Sequence, residues 1–384
     1  MRMSRTTLLL TASLVLSLVL LVLTSLYTIR MTSGPVPVPE VENIAPAETV
    51  PATRQGLVEE NGSPYFYNQD GTRFTDGYKE LDNGGIYFFL PSGQAFTSGY
   101  KVIELDGVPC YFYFQENGKA FTDGFKDIPF GDTVCTYYFQ DNGRALTSVW
   151  ETMGDTTYYF QENGRVAKDT FLSLDGSLYY FDEHAALITG GWFCLEEQEG
   201  YYYAGPDGQL LTDTVLEGYK LDATGKSSTK YRIIQYVNAH TDPSMSNQEK
   251  IQALYDWILY SDMTYIRSYE HARAGWEWKD SWVDDMAADH MDRWGGNCFR
   301  YAAFLGMLLR EATGLPVTVC RGQTLATFNG LTPHSWACVR QDGDWYIYDV
   351  ELQKFNTCGR SDCYKIPASE SYLHLQGVET DLYS

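Results

Sequence analysis

Three side chains near the end of the chain could do chemistry together. Cys298 closes the run Gly295-Gly296-Asn297-Cys298, His334 stands in Pro333-His334-Ser335-Trp336, and Asp349 ends Trp345-Tyr346-Ile347-Tyr348-Asp349. A thiol, an imidazole and a carboxylate in that order are the parts of a cysteine acyl-transfer site. The thiolate attacks a carbonyl, the imidazole moves the proton, and the carboxylate orients the imidazole. That chemistry calls for no cofactor. None of the eight cysteines has the paired spacing of a structural zinc site, so no metal ligands are expected.

The elements around these residues must bring them together. Asn297 suits a helix N-cap, which starts a helix at Cys298 that runs to about Thr313 and is closed by Gly314, with Pro316 beyond. Tyr301, Ala302, Phe304, Leu305, Leu308 and Leu309 make it apolar nearly all round, hence buried. A thiol in the first turn feels the positive end of the helix dipole, and the unpaired N–H groups there suit an oxyanion. Residues 333–339 and 344–350 read as two strands joined by a Gln341-Asp342-Gly343 turn. A hairpin sets the start of one strand beside the end of the other, so Asp349 can orient His334.

Upstream, Ser246-x-x-Glu249 is a capping box, and Ile251, Leu254, Tyr255 and Ile258 follow helical spacing behind it. Residues 260–294, with Trp276, Trp278, Trp282 and Trp294 among many charges, read as a loop over a cleft. Trp294 either walls that cleft or packs in the core. His271, His290 and His374 read as surface residues. If the chain is exported, disulfides are allowed. Three pairings are geometrically plausible: Cys110 with Cys135, Cys320 with Cys338, and Cys358 with Cys363, which leaves Cys194 and Cys298 free.

The stretch 245–355 resembles the transglutaminase-like superfamily, a branch of the papain-like fold. The resemblance rests on Gly296-x-Cys298-x-x-Tyr301-Ala302, Leu309-Arg310, Gly314-Leu315-Pro316-Val317, His334-x-Trp336 and Trp345-Tyr346-x-x-Asp349. It implies that Cys298 is the nucleophile, His334 the general base and acid, and Asp349 the orienting carboxylate. The family usually follows that carboxylate with Pro or a similar turn residue, where this chain has Val350-Glu351.

The middle of the chain is repetitive. Aromatic clusters recur at Tyr65-Phe66-Tyr67, Tyr87-Phe88-Phe89, Phe112-Tyr113-Phe114, Tyr137-Tyr138-Phe139, Tyr158-Tyr159-Phe160, Tyr179-Tyr180-Phe181 and Tyr201-Tyr202-Tyr203. Gly71, Gly93, Gly118, Gly143 and Gly164 follow the first five clusters. Another aromatic comes next: Tyr78, Tyr100, Phe125, Trp150, Phe171 and Trp192. Consecutive aromatics favour strand, and Asp70-Gly71, Asn117-Gly118, Asn142-Gly143, Asn163-Gly164 and Asp207-Gly208 are tight-turn signals. The expectation is one β-hairpin per unit, stacked because a lone hairpin cannot bury its own apolar face. The pattern over roughly 56–225 resembles the cell-wall-binding repeats that include choline-binding and glucan-binding modules. The resemblance implies a ligand such as cell-wall polysaccharide, teichoic acid or glucan, with Tyr78, Tyr100, Phe125, Trp150, Phe171 and Trp192 as candidate ligand-binding residues. The rings can also simply form the solenoid core, and both roles are compatible. Choline cages of that family use Trp after Gly, where this chain mostly has Tyr or Phe.

Net charge is −22 over 384 residues, which excludes a basic nucleic-acid surface. Residues 6–29 carry no charge and follow Arg2 and Arg5. At about 1.5 Å per residue they are long enough to span about 30 Å of hydrocarbon, with the N-terminus inside. The run is longer than a cleavable signal core and lacks an A-x-A-like end, so an uncleaved anchor is favoured over a secreted product. Residues 33–54 are rich in Pro and small polar residues and suit an extended spacer.

The expected fold class is multidomain: an N-terminal transmembrane helix (1–30), a linker (31–55), an all-β hairpin-repeat solenoid (56–229) and an α+β papain-like, transglutaminase-like domain (230–384). The expected function is an exported, wall-associated enzyme that breaks or exchanges amide bonds in a peptide or protein substrate. The alternative is a non-catalytic surface adhesion protein built on the repeats.

Overall fold

The structure is a computed structural model that describes residues 54–267, 278–326, 330–355, 362–371 and 374–381. Residues 6–29, His271 and Cys358 lie outside the described residues, as does the side chain of His374. Among the described residues no helix is long and apolar enough to cross a membrane. The chain divides into two compact units: one comprises residues up to 122 plus 141–144, the other 123–140 plus 145–384.

In the first unit three antiparallel hairpins follow one another: Gly56–Glu60 with Ser63–Tyr67, Gly77–Glu80 with Ile86–Phe89, and Gly99–Leu105 with Val108–Phe114. Each lends a rung to the next: Ala95 N donates to Pro64 O and Ala120 N to Ile86 O, both at 2.8 Å. The second unit holds five more, at Gly124–Phe130/Thr133–Phe139, Val149–Met153/Thr156–Phe160, Thr170–Leu174/Ser177–Phe181, Gly191–Leu195/Gly200–Ala204 and Thr214–Leu216/Tyr219–Leu221. The same rung recurs from Val166 N to Thr136 O and from Leu187 N to Thr157 O, both at 2.9 Å. The last hairpin keeps only Tyr219 of the aromatic cluster, so aromatic spacing alone missed it.

The turns differ from expectation. The strands of a hairpin are joined at Asn61-Gly62, Asp106-Gly107, Asp175-Gly176 and Glu217-Gly218, where both residues have positive φ. That is the backbone twist a two-residue hairpin loop requires. Asp70-Gly71 and its equivalents are instead turns after the second strand. Gly71 N bonds Asn68 O there, and the chain then forms a single bridge between Tyr67 and Arg73. Gly118 could not be replaced in that turn, because a Cβ would stand 2.9 Å from Ala95 Cβ of the preceding repeat.

The rest of the second unit is mixed α/β. Helices α1 (Ser228–His240), α2 (Asn247–Tyr260), α3 (Trp282–Arg293) and α4 (Cys298–Thr313) precede an antiparallel sheet. Its strands are β1 (Val317–Ala326), β2 (Gly330–Gln341), β3 (Asp344–Tyr348), β4 (Ile366–Pro367) and β5 (His374–Asp381), in the order β4-β3-β2-β1-β5, with helix α5 (Val350–Phe355) after β3. Helix α4 is the core. Nearly every residue from Cys298 to Ala312 is buried, against α1, α2, α3 and the face of β1 and β2. The Ser246–Glu249 capping box of α2 forms as expected.

Three expectations are corrected here. Part of the stretch read as a loop, 260–294, is helix α3, which buries Val283, Met286, Ala287, His290 and Met291 along one face. His290 is therefore not a surface residue: it is fully buried, its ring 4.7 Å from Phe304 and 4.5 Å from Tyr301. The expected disulfides are not formed by the described cysteines. Cys110 and Cys135 are not joined, Cys320 and Cys338 hold their Sγ atoms 3.7 Å apart without a bond, and the pairing of Cys358 with Cys363 involves a residue outside those described.

The last hairpins join the helical layer through Lys230 and Arg310. Lys230, in the first turn of α1, places its ammonium over the rings of Trp192 (4.8 Å), Tyr201 (5.8 Å) and Tyr219 (4.5 Å) and 2.9 Å from Glu311 Oε1. Arg310 donates to Glu217 in the hairpin turn, and Asp284 accepts from Lys220 N at 3.2 Å and Thr229 Oγ1 at 3.1 Å.

Candidate active site

The Gly295-Gly296 pair fixes the approach to Cys298. It forms a short parallel pairing with Thr264–Tyr265. At Gly295, with φ of 152°, a Cβ would stand 2.2 Å from Thr264 O, so only glycine fits. Asn297 then caps α4 by accepting from Arg300 N, which puts Cys298 in the first turn. Cys298 is 8% exposed, the most accessible of the three candidate residues.

His334 and Asp349 reach the thiol from the sheet. The β2–β3 pairing runs from Gln341↔Asp344 to Ala337↔Tyr348, around the expected turn with Asp342 and Gly343 at positive φ. The pairing stops before His334. Strand β3 also ends one residue short of Asp349, against the expectation of strand through 350. Asp349 instead starts α5, and its Oδ1 accepts from Leu352 N at 3.1 Å. Its Oδ2 accepts from His334 Nε2 at 2.6 Å, with both side chains buried. His334 also hydrogen-bonds the Cys298 side chain. With Nε2 taken by Asp349, Nδ1 is the nitrogen left for the thiol. The structure thus brings Cys298 and Asp349 onto the imidazole of His334.

Electrostatics favour a charged imidazole there. Burial opposes a charged imidazole, but the charges of Asp349 and Cys298 and the hydrogen bonds from both outweigh it, holding His334 well above its ordinary value. The Trp336 ring lies 6.2 Å away in a stacked orientation. Trp294 does not wall the site: its ring packs on Tyr236 and Trp257, and Nε1 donates to Asp262 Oδ1 at 2.6 Å. Trp278 lies nearer, against Phe299, the residue after Cys298.

Sequence reasoning missed one site residue. Glu351, in the first turn of α5, is 2% exposed, and its Oε2 lies 3.9 Å from His334 Nδ1. Burial, with opposing help from His334 and further push from Asp349, raises its carboxyl to about 7. The signal in the sequence was the departure from a turn residue after Asp349. His334, Asp349 and Glu351 offer ligand atoms within 4.8 Å of one another. The short Nε2–Asp349 bond already joins two of the three, so the cluster reads as a proton network.

The six repeat aromatics are all at least partly exposed. Each of five bridges from the first strand of its hairpin to the second strand of the next: Tyr78 to Phe112 (5.6 Å), Phe125 to Tyr158 (5.2 Å), Trp150 to Tyr179 (5.0 Å), Phe171 to Tyr202 (5.1 Å) and Trp192 to Tyr219 (6.2 Å). Tyr100 stacks on Tyr111 of its own hairpin at 6.0 Å. Phe125 and Trp150 are open at 41% and 38%.

Comparison with known proteins agrees with both resemblances. Residues 234–350 match the family model of the transglutaminase-like superfamily, and residues 146–192 match that of the choline-binding repeat. No curated protein matches the chain. Among solved structures, CbpJ from Streptococcus pneumoniae aligns at 22% identity over 45% of this chain and 58% of its own, with a TM-score of 0.35. Choline binding protein F of the same organism, solved with a peptidoglycan analogue, aligns at 22% over 45% and 57%, also with a TM-score of 0.35. The choline-binding domain of CbpL from that organism aligns at 20% over 46% and 87%, with a TM-score of 0.33. The alignment spans less than two thirds of the first two of these chains.

Proposed function

We propose that this chain is an exported, surface-associated cysteine acyl-transfer enzyme whose repeats, residues 56–229, hold it to cell-wall polymer while residues 230–384 act on amide bonds. One observation carries the reading: a buried imidazole that donates to Asp349 and hydrogen-bonds Cys298, at the start of a buried helix.

In this mechanism the Cys298 thiolate adds to an amide carbonyl. The oxyanion faces the first backbone N–H groups of α4. His334 gives its proton to the nitrogen as the C–N bond breaks, the amine leaves, and an acyl-thioester remains on Cys298. Asp349 keeps the imidazole oriented and stabilises its charged form. Water as acceptor regenerates the thiol with hydrolysis, and a primary amine gives a cross-link. The uncharged run at residues 6–29 would anchor the enzyme with its body outside.

The test is the full chain against a panel of cell-wall and protein substrates with a labelled primary amine, read by mass spectrometry beside Cys298→Ala. Amine incorporation or released peptide that vanishes in the variant supports the enzyme and identifies its acceptor. Equal wall binding by both proteins with no product from either would instead make this a surface adhesion protein.

A further inference from the structure

The imidazole of His334 has two sides, and the reaction just described uses both: Nε2 for Asp349 and Nδ1 for Cys298. Glu351 is a third acid on the same ring, and it stands on the Nδ1 side, 3.9 Å from that nitrogen. Its placement follows from the local fold. Asp349 caps α5 through Leu352 N, and Val350 and Leu352 on either side are each 1% exposed. With its neighbours fixed in the core, the Glu351 carboxyl is held inside, where an unpaired charge is costly. Helix α4 faces it with Tyr301, β2 with His334, and the β3–α5 turn with Asp349. Tyr255 of α2 hydrogen-bonds Gln353 further along α5. His334 is the basic group within ion-pair reach.

We propose that Glu351 is a positioning residue that competes with the Cys298 thiolate for the proton on the Nδ1 side of His334, so that its protonation state sets how much reactive thiolate the site holds. The inference rests on the acyl-transfer reading for its purpose but not for its test. When the Glu351 carboxyl is neutral, the imidazolium pairs with the thiolate alone. When it is ionised, a second negative charge shares the imidazolium and repels the thiolate. Thiolate formation should then proceed in two steps that belong to the cluster rather than to any one residue. The direction is supported by burial, which raises the Glu351 carboxyl to about 7. Gating of this kind would restrain the nucleophile above neutral pH and release it in a mildly acidic environment.

The experiment measures the rate at which iodoacetamide alkylates Cys298, as a function of pH, in the full chain. The thiolate sulfur forms the S–C bond and iodide leaves, so no substrate has to be known. Cys298→Ala supplies the background from the other cysteines. The native chain should show a step near neutral pH. Glu351→Gln keeps the shape and removes the charge. It should lose that step and alkylate roughly tenfold faster above neutral pH, where the native carboxyl is ionised, with the acid limb unchanged. Glu351→Asp keeps the charge and should retain the step at reduced amplitude.

A single-step native profile overturns the proposal whatever the variants do, and so does a Glu351→Gln profile that superimposes on the native one. Equal shifts in Gln and Asp variants, tracking a common fall in melting temperature, reduce Glu351 to a structural residue and overturn it too. If Glu351→Gln does not fold, the native and Asp profiles decide the matter by the same step. A substrate panel without product beside an intact two-step profile strikes the acyl-transfer reading alone.

Discussion

The carboxylate of Asp349 serves two partners at once: one oxygen accepts from His334 Nε2 at 2.6 Å, the other from Leu352 N at 3.1 Å. The residue that orients the imidazole is therefore also the cap of the helix that delivers Glu351. Asp349→Asn separates these duties. Asparagine can still accept from Leu352 N, so the helix cap should survive and the chain should still fold, with the loss of stability confined to the broken ion pair. It cannot hold an imidazolium, so turnover should fall about a thousandfold or more. Urea unfolding and the rate of amine incorporation or peptide release, measured on the same sample, check both halves.

His290 should make the fold acid-sensitive. Burial, with a smaller contribution from Arg300, depresses its folded value to about 3 from an ordinary 6.5. Its Nδ1 lacks a hydrogen-bond partner. The neutral ring fits and the charged one does not. Between these two values the unfolded chain binds the extra proton, so stability falls as pH drops from about 6.5 toward 3, by on the order of 4 kcal/mol. Buried Asp284 and Glu351, both raised to about 7, act in the opposite sense, losing stability as pH rises toward 7. The comparison is accordingly between the native chain and His290→Leu. Melting temperatures at pH 7 and pH 4.5 should converge or cross in favour of the variant at the lower pH, and parallel curves would refute the assignment.

Lys230 is a joint that should break asymmetrically. Its side chain is 7% exposed and that of Glu311 is 16%. Lys230→Met leaves Glu311 half-buried without its ammonium and should cost about 3 kcal/mol. Lys230→Met with Glu311→Gln removes both charges and should recover part of that loss. A double-mutant cycle by chemical denaturation reads the difference, and strict additivity would mean that the pair is not coupled.

Trp150 offers the more open indole in the segment that matches the choline-binding repeat. With its ring 38% exposed beside Tyr159 and Tyr179, it is suited to a quaternary ammonium. Trp150→Ala should weaken retention on a choline-substituted matrix by about threefold to thirtyfold, the loss expected for a cation–π contact of about 0.7–2 kcal/mol. Tyr78→Ala should do less. Equal retention by native chain and Trp150→Ala would remove this ring from the binding surface.

Much of the site was legible because local chemistry and tertiary placement agree there. Asn297, Cys298 and Gly314 mark the helix ends that the structure has, and Asp342-Gly343 turns where it should. What was hidden depends on distant partners. Helix α3 looked like a loop because its buried face includes His290 and Asp284, polar residues that only tertiary contacts make tolerable. Asp349 read as the end of a strand because it closes the run Trp345-Tyr346-Ile347-Tyr348, whereas its side chain is used to begin a helix. The Asp-Gly and Asn-Gly signals were turns as expected. Their place, after the second strand rather than between strands, follows from rungs lent by the neighbouring repeat, which no single unit encodes. Glu351 carried no motif. Its significance comes from a 3.9 Å approach to a ring seventeen positions earlier in the chain.

The Lys230 cluster has a consequence for how the repeats count their ligands. Trp192 and Tyr219 form the last of the inter-hairpin ring pairs, and an ammonium from the chain itself already lies over both. In binding terms the C-terminal half is a tethered ligand of its own array, present at an effective concentration no free cation matches. The stoichiometry of the array toward a soluble cation should therefore be lower than its number of ring pairs, with the missing equivalent being the one that joins the two halves.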